Sequence, residues 1–308
     1  MLTRRHLLTR GLVAGSAGGL GIGTAGAAAL DTMGDAVVTH YDIHPAGWPA
    51  DLPLRVAAIA DIHACEPWMT IERIEGIVAA TNALAPDLVV LLGDYVVAHR
   101  KITAKVPDAQ WAKALGRLSA PCGVHAILGN HDWWDDPRAQ ARLVPLPAAA
   151  AALEAEGIRV LHNDAVRLTH RGRSFTVAGL GDQFAFRPRH DSPAWGSGGT
   201  DDLEGTLTKA RGDGPILLLA HEPDIFAEVP ADVAVTFSGH THGGQVRIGG
   251  FTPVVPSRYG SRYVYGHIVE DGRNLVVSAG LGCSWWPVRF GVPAEIVLAT
   301  IGGGAAAV

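Results

Sequence analysis

The chain has 308 residues, of which 48% are hydrophobic and 18% are charged, so it is long enough to bury one sizeable core. Its formal net charge of -5 provides no basic field of the kind that general nucleic-acid binding requires, so nucleic acid is not an expected partner. Its three cysteines are too few and too widely spaced for a disulfide framework or a cysteine-based zinc site.

Residues 1–30 have the architecture of an export signal. A basic start is followed by a weakly apolar Gly/Ala stretch that carries no charged residue between positions 11 and 30. The consecutive Arg4 and Arg5 resemble a twin-arginine signal, which makes the twin-arginine export machinery an expected partner and predicts a periplasmic or extracellular location. The alternative is an uncleaved segment that keeps the protein at the membrane, although a glycine-rich stretch makes a poor transmembrane helix.

After a lead-in segment at residues 31–53, apolar runs of strand length alternate with helical segments. Five runs are predicted to be strands buried on both faces, at residues 54–60, 87–92, 123–128, 215–220 and 233–237. Helices are predicted over residues 69–84 and 145–157, and Gly157 ends the second. Strands that alternate with helices predict an α/β fold, in which ligands gather at the carboxyl ends of the strands.

A second group of strand-like runs lies towards the C-terminus. Its members are residues 173–180, 263–270, 274–281 and 294–301. The last three have no long helix between them, which indicates an antiparallel portion. We therefore predict a four-layer αββα sandwich, with two mixed β-sheets packed face to face and flanked by helices, over residues 54–301. A Gly/Ala-rich tail follows at 302–308.

Each of two polar segments is either part of the functional site or an ordinary solvent-exposed loop. The predicted loop at residues 182–205 is long and glycine-rich, and it carries Arg187, Arg189 and His190. Long loops near strand ends often form substrate walls, but a surface excursion explains these residues equally well. The basic stretch at residues 99–105 has the same two interpretations.

Polar residues follow each of the first five predicted strands. The candidate metal ligands are Asp61, His63, Asp94, Asn130, His221, His240 and His242. One histidine after a strand is more often structural than a ligand, but together these residues form an oxygen and nitrogen set without thiolate, which suits manganese, zinc or iron. In Asp61-Ile62-His63 and His240-Thr241-His242, ligands two residues apart would share one side of an extended backbone. Seven ligands exceed the need of one ion, so we predict two divalent ions at the strand C-terminal ends.

Five blocks carry these residues in a recognisable order: "ADIH", "LLGDYV", "LGNHD", "AHEPD" and "SGHTHGGQ". The pattern resembles the calcineurin-like metallophosphoesterases, and "GHTHGGQ" with "PVRFGVPAEI" resembles the branch that includes twin-arginine-exported bacterial phosphoesterases. The resemblance implies that Asp94 bridges two metals. It assigns Asp61, His63 and His242 to the first metal, and Asn130, His221 and His240 to the second.

The resemblance also implies a reaction: in-line attack on a phosphate ester, with phosphodiesters favoured, by a hydroxide that bridges the metals. His131 would face the scissile phosphate and assist the leaving group, and Asp132 would either orient His131 or a ligand or serve as a plain helix cap. A small phosphate ester or a lipid headgroup is the expected substrate. Phosphomonoesters, lipid or nucleotide pyrophosphates, and a non-catalytic binding role on the same fold stay open.

Three further observations bear on the site. Purple acid phosphatases place a tyrosine ligand three residues after the bridging aspartate, but Val97 stands there, which disfavours an iron-tyrosinate centre. The chain has two tryptophan doublets, Trp133-Trp134 and Trp285-Trp286; the first follows "LGNHD" directly and is interpreted either as a cleft wall or as ordinary packing. Asp182 follows a predicted strand but matches no ligand position of the resemblance.

Overall fold

The computed structural model describes residues 32–97, 100–187 and 198–302. The predicted export signal at residues 1–30, the tail beyond Gly302, and Arg189 and His190 lie outside the described residues. Among the helices of the described segments, none is long and apolar enough to cross a membrane.

Two six-stranded sheets form the centre of the described fold. The strands are β1 (Val37–Ile43), β2 (Leu54–Ile59), β3 (Cys65–Glu66), β4 (Leu88–Leu91), β5 (Ala104–Lys105), β6 (Val124–Ala126), β7 (Arg159–Val160), β8 (Asp164–His170), β9 (Arg173–Gly179), β10 (Ile216–Leu219), β11 (Val233–Ser238), β12 (Gly266–Glu270), β13 (Arg273–Val277) and β14 (Glu295–Ile301). The first sheet has the order β1-β14-β2-β4-β6-β7, and the second has the order β12-β13-β11-β10-β9-β8. Strands β3 and β5 form a small separate pair.

Helices cover the outer faces of both sheets. The α-helices are α1 (Ile71–Ala83), α2 (Asp108–Leu115), α3 (Asn130–Trp134), α4 (Pro137–Gln140), α5 (Ala148–Ala155) and α6 (Leu203–Ala210). Short 3₁₀ turns occupy Pro223–Ala227, His242–Gly244 and Gly260–Tyr263. Helix α1 begins at a side-chain cap, where Thr70 accepts a hydrogen bond from the backbone N–H of Arg73.

Both sheets are mixed, as predicted. In the first, β2, β4, β6 and β7 are parallel, whereas β14 runs antiparallel to β2. In the second, β9, β10, β11 and β13 are parallel and the edge strands β8 and β12 are antiparallel to their neighbours. Parallel strands place their carboxyl ends at one edge of each sheet, which is where the candidate ligands follow.

Alternate side chains of the central strands enter two different cores. Val56 and Ala58 of β2 pack between the sheets, against residues such as Phe237 of β11. Ala57 and Ile59 point the other way, into a core shared with α1, α2 and α5. A third core joins the outer face of the second sheet to α6. This two-sided burial explains the continuous apolar runs in the sequence, and it confirms the predicted four-layer αββα sandwich.

The structure adds elements that the sequence did not indicate. Strand β1 lies within the lead-in segment and pairs in parallel with β14, from Val37 beside Glu295 to Ile43 beside Ile301. Six of its seven residues are exposed or partly exposed, so its sequence lacks the apolar run of a central strand. Helix α6 begins inside the predicted loop at residues 182–205, where Asp202 caps it by accepting from the Gly205 N–H.

Candidate metal centre

The seven candidate ligands meet at the edge where parallel strands of both sheets end. Asp61 and His63 follow β2, Asp94 follows β4, and Asn130 follows β6. From the second sheet, β10 leads into His221, and β11 leads into His240 and His242. All are buried except His240, which is half-buried. Because the two sheets pack face to face, their strand ends converge on one point.

The backbone at these positions is not extended, so the expected geometry of the two i, i+2 pairs was wrong. Asp61 and His63 have φ values of 52° and 49°, and His240 and His242 have φ values of 67° and 53°. Asp94 is also left-handed, with φ at 58°. Non-glycine residues rarely adopt this conformation, and it costs on the order of 1–3 kcal/mol at each position. Tight left-handed turns, rather than strand alternation, direct the side chains to the centre.

A first group consists of Asp61, His63 and His242, whose ligand atoms lie within 4.8 Å of one another. The Nε2 atoms of the two histidines are 3.1 Å apart, and their rings stack with an angle of 9° between the planes. His242 Nε2 lies 3.5 Å from Asp61 Oδ1. The two carboxylate oxygens of Asp61 also accept the backbone N–H of His240, which fixes the side chain.

A second group lies on the other side of Asp94. His221 Nε2 is 3.3 Å from Asp94 Oδ2, and His63 Nε2 of the first group is 3.7 Å from the same oxygen. His240 Nδ1 lies 3.0 Å from Asn130 Oδ1. The Asp94 carboxylate is therefore within 4 Å of an imidazole from each group.

The hydrogen bonds of the outer ring nitrogens indicate that a cation fits here. Nδ1 of His63 donates to the Val96 carbonyl at 2.8 Å, and Nδ1 of His221 donates to the Leu92 carbonyl at 2.7 Å. Nε2 of His63 then carries a lone pair, and the buried Nε2 of His221 faces Asp94 Oδ2 at 3.3 Å and offers its lone pair once a cation displaces its proton. Lone pairs and carboxylates that converge in a buried space suit a divalent ion, with backbone carbonyls that orient the imidazoles from behind.

The pKa values of the candidate ligands also bear on whether a cation fits at this place. Burial lowers the pKa of His63 and of His240 to about 3, so both imidazoles are neutral at neutral pH, as a metal ligand must be. Burial also raises the pKa of Asp61 to about 7. Burial opposes the charging of His221, but the nearby Asp94 carboxylate outweighs it and raises the pKa of His221. A cation bound between Asp94 and His221 therefore displaces a proton.

Gly129 allows the chain to pass close to this centre. A Cβ atom at this position would lie 2.7 Å from the backbone nitrogen of Asp94 and 2.7 Å from Cε1 of His221. Only glycine fits such an approach. The next turn then starts α3, in which Asn130 contributes its amide and the backbone N–H of His131 donates to Asp94 Oδ1 at 2.8 Å.

Of the two roles predicted for Asp132, the structure shows the helix cap and not the orientation of His131. Its carboxylate makes no hydrogen bond to the ring of His131; it accepts backbone N–H groups of Gly129, Asp94 and Tyr95 at 2.8–2.9 Å. It caps α3 and holds the turn that presents Asp94, because a buried carboxylate binds the donors that the nearby backbone offers. Asp132 is therefore a positioning residue rather than a catalytic one.

His131 borders the open side of the centre. Its half-buried ring meets the ring of His63 edge-on at 5.3 Å and that of Trp134 at 5.0 Å. It lines a cleft of about 600 Å³ together with Asp94, Asn130, His240 and His242. Burial lowers the pKa of His131, so the free ring is neutral at neutral pH. A neutral imidazole at the mouth of a metal centre is available for proton transfer.

Sequence reasoning missed two buried groups behind the centre. Glu222 belongs to a potential metal-binding group with His221 and His240, and its carboxyl lies beside that of Asp182. Glu222 directly follows His221 in "AHEPD", and this position could have identified it as a candidate ligand from the sequence. Arg289 lies 3.4 Å from His242 Nδ1 and donates to the carbonyls of Gly282 and Ala279. The guanidinium thereby ties the loop after β13 to the first group.

The aromatic residues divide between cleft and core. Trp134, Trp285 and Trp286 line the cleft, whereas Trp133 is buried in the core around α3. Tyr95 donates its hydroxyl to the Ile127 carbonyl and so points away from the metal groups. The sequence does not show whether a tryptophan ring lies in the cleft or in the core, and only the packing of the folded chain decides this.

Comparisons with known proteins bear on the family. The family model for calcineurin-like phosphoesterases matches residues 54–244. The metallophosphoesterase YkuE of Bacillus subtilis is 27% identical over 252 residues, with 80% of this chain and 78% of that protein covered. Phosphodiesterase YaeI of Escherichia coli is 27% identical over 253 residues, which cover 80% of this chain and 81% of YaeI.

A third relative has a lipid-derived substrate in its name. The UDP-2,3-diacylglucosamine pyrophosphatase LpxG of Chlamydia trachomatis is 26% identical over 301 residues, with 80% of this chain and 82% of LpxG covered. The matched family model spans the strand ends that carry all seven candidate ligands. With its converging aspartates and histidines, the chain belongs to the calcineurin-like phosphoesterase family and is a metal-dependent phosphoester hydrolase.

Proposed function

We propose that this protein is an exported phosphoesterase that hydrolyses phosphodiesters in preference to monoesters. The observation that carries the proposal is the position of Asp94. Its carboxylate lies between two groups of imidazoles, and the ring of His131 stands beside it at the floor of an open cleft. A carboxylate shared by two ligand groups is the arrangement of a two-metal hydrolase.

Each side chain has a role in this proposal. Asp61, His63 and His242 would hold a first ion, and Asn130, His221 and His240 would hold a second. Asp94 would be shared by both. Manganese, zinc and iron all match these ligands. When bound, the two ions would supply an activated water and neutralise charge on the phosphoryl group.

His131 is the proposed proton donor to the leaving oxygen. Its ring lines the cleft at the open side of the centre, where an ester oxygen that points away from the ligands would lie. The negative charge of a bound phosphate raises the pKa of a neighbouring imidazole, so the ring gains a proton when substrate binds. Transfer of that proton avoids the release of a high-energy alkoxide.

The cleft lining supports a preference for diesters. Among its described residues, none is Lys or Arg, and Asp94 contributes the one carboxylate. A phosphomonoester brings a second negative charge, for which none of the described lining residues supplies a Lys or Arg side chain; the guanidinium of Arg187 lies outside the lining, 5.8 Å from the ring centre of Trp134. A diester carries one charge and a second organic group, which apolar walls accommodate. The name of YaeI agrees with this choice, whereas that of LpxG favours a pyrophosphatase as the second candidate.

The diester preference is tested with two chromogenic esters. The protein is stripped with a chelator, reloaded with Mn²⁺, Zn²⁺ or Fe²⁺, and assayed with bis(4-nitrophenyl) phosphate and 4-nitrophenyl phosphate. We expect a higher kcat/KM for the diester and full loss of turnover when the chelator is added. Faster cleavage of the monoester would overturn the preference, and no hydrolysis of either ester at full metal occupancy would favour a non-catalytic binding protein.

The export part of the proposal rests on residues 1–30, with the adjacent Arg4 and Arg5 before an apolar stretch. Replacing both residues by lysine keeps the positive charge but removes the twin-arginine pair. We expect the Arg4→Lys/Arg5→Lys chain to stay in the cytoplasm while the unchanged chain is exported. Cell fractionation measures this, and equal export of both chains would contradict a twin-arginine route.

A further inference from the structure

We infer that the substrate is an amphiphilic phosphoester whose alkyl or acyl chain lies in the cleft beside the metal centre and is drawn from a lipid surface. The inference rests on the proposed phosphoesterase function and specifies its substrate class. Three features carry it: the walls of the cleft, the exposed rim beside them, and the contacts of Thr32 and Lys101 with the loop that carries Trp286.

The described residues that line the cleft beside the candidate ligands are mostly apolar. They include Trp134, Phe184 and Phe186 and the apolar residues of segments 253–256 and 284–288. Besides the candidate ligands and His131, the polar lining residues are Thr241, Gln245 and Ser284. At about 600 Å³ the cleft has the volume of a site that encloses an organic ligand. A phosphoryl group at the floor would therefore extend its ester substituent along hydrocarbon and aromatic surfaces.

Apolar side chains in and next to the cleft lining are exposed to solvent, and we call these residues the apolar rim. Its members and their exposed fractions are Ile248 58%, Phe251 68%, Val254 55%, Trp285 67% and Trp286 59%. Val254, Trp285 and Trp286 line the cleft, and Ile248 and Phe251 lie in the sequence between the lining residues Val246 and Pro253. Nine large hydrophobic residues are exposed among the described residues, and five of them belong to this rim. Single exposed hydrophobics are normal, but a cluster at the entrance of a cleft marks an interaction surface. Tryptophan and phenylalanine are suited to a lipid–water interface.

The rim has a defined conformation, which Gln245 supports from between its two segments. The side-chain amide of Gln245 donates to the Trp286 carbonyl at 2.6 Å, and its oxygen accepts the Ser284 N–H at 2.8 Å. Trp285 has a left-handed backbone with φ at 61°. Such a conformation is unfavourable for a bulky residue and persists where the surroundings hold it. The backbone conformation of this loop therefore keeps the side chain of Trp285 exposed.

The chain enters the described fold beside the same rim. Thr32, the first described residue, donates its hydroxyl to the Pro287 carbonyl at 2.9 Å, next to Trp286. The apolar stretch at residues 11–30 immediately precedes this point in the sequence. The ammonium group of Lys101 lies 5.0 Å from the ring centre of Trp286, which adds a cation to the rim. An aromatic rim with a neighbouring ammonium group suits a surface of anionic lipid headgroups.

The test uses diesters that differ in one substituent. The metal-loaded full chain is assayed with methyl, hexyl and dodecyl 4-nitrophenyl phosphate, each below the concentration at which it forms micelles. In every case water cleaves the same P–O bond and yields 4-nitrophenol and an alkyl phosphate. We expect kcat/KM to rise with chain length, by up to about fourfold for each methylene that enters the cleft.

A matched pair of variants connects the effect to the rim. Val254→Asp places a carboxylate on the cleft wall, and Val269→Asp makes the same change on β12, where the side chain is 59% exposed and pairs with Asn274, far from the strand ends of the centre. We expect Val254→Asp to reduce the ratio of dodecyl to methyl kcat/KM at least tenfold, since a charge in an apolar wall opposes burial of the alkyl chain. Val269→Asp should leave that ratio unchanged.

Several outcomes separate this inference from the proposed function. If all three esters are cleaved at equal kcat/KM, the proposed phosphoesterase stands and the amphiphile is ruled out. Faster cleavage of the 4-nitrophenyl ester of thymidine 5′-phosphate than of the dodecyl ester would assign the aromatic walls to a nucleoside instead. A Val254→Asp chain that changes its oligomeric state on size exclusion, with an unaltered chain-length ratio, would identify the rim as a contact between copies. If no ester is cleaved at full metal occupancy, the proposed function itself fails.

Discussion

Asp94→Asn is expected to reduce phosphodiester turnover about 10³-fold, which corresponds to about 4 kcal/mol of transition-state stabilisation. The amide has the shape of the carboxylate and can still accept the His131 N–H. It lacks the charge that faces His221 at 3.3 Å and His63 at 3.7 Å. Two cations held close together need an anion between them, so we expect fewer than two ions per chain.

Elemental analysis of the purified variant measures the metal content, and the chromogenic diester measures turnover. The matched control is Asp232→Asn, which removes the charge of a surface aspartate paired with Arg211 and should leave both quantities unchanged. Thermal unfolding checks that the Asp94→Asn chain is folded. Two ions per chain in that variant would contradict the shared position of Asp94.

His131→Gln should lower turnover by about 10²–10⁴-fold while the metal content stays at the level of the unchanged chain. The ring belongs to neither ligand group, and the backbone N–H that contacts Asp94 is kept. A proton donor matters most for a poor leaving group. We therefore expect a greater loss with methyl phenyl phosphate than with methyl 4-nitrophenyl phosphate, because phenoxide is the poorer leaving group.

The control for this variant is His40→Gln, which removes an exposed imidazole on β1. It should not alter turnover with either ester. An equal loss with both esters in His131→Gln would show that the ring positions the substrate without donating a proton. Near-normal turnover would remove His131 from the mechanism altogether.

The strands of the fold were predictable because their burial is two-sided. Central strands such as β4 and β10 are apolar at every position, and the polar residue after each marks its carboxyl end. Strand β1 was not predictable on that basis. All but one of its residues are exposed or half-buried, since it lies at the edge of the first sheet and pairs only with β14 there.

The candidate ligands were predictable as a set, but their geometry was not. A carboxylate or imidazole that follows a strand can be recognised in the sequence as a possible ligand. The left-handed turns at Asp61 and His242 cannot, because they depend on the contacts around these residues. Asp132 makes the same point. As part of "GNHD" it was a candidate for catalysis, and its position relative to the backbone of Asp94 and Tyr95 made it a support for the turn.

Residue order and type were sufficient for the layered α/β fold, the family resemblance and the choice of nitrogen and oxygen ligands, because these follow from local patterns along the chain. Which ligands lie on each side of Asp94 depended on how two sheets bring their strand ends together. The apolar rim likewise joins segments 246–256 and 284–288, which are distant in sequence and meet through Gln245. Hydrophobic residues look alike in a sequence whether they enter a core or face solvent, and long-range packing decides between the two.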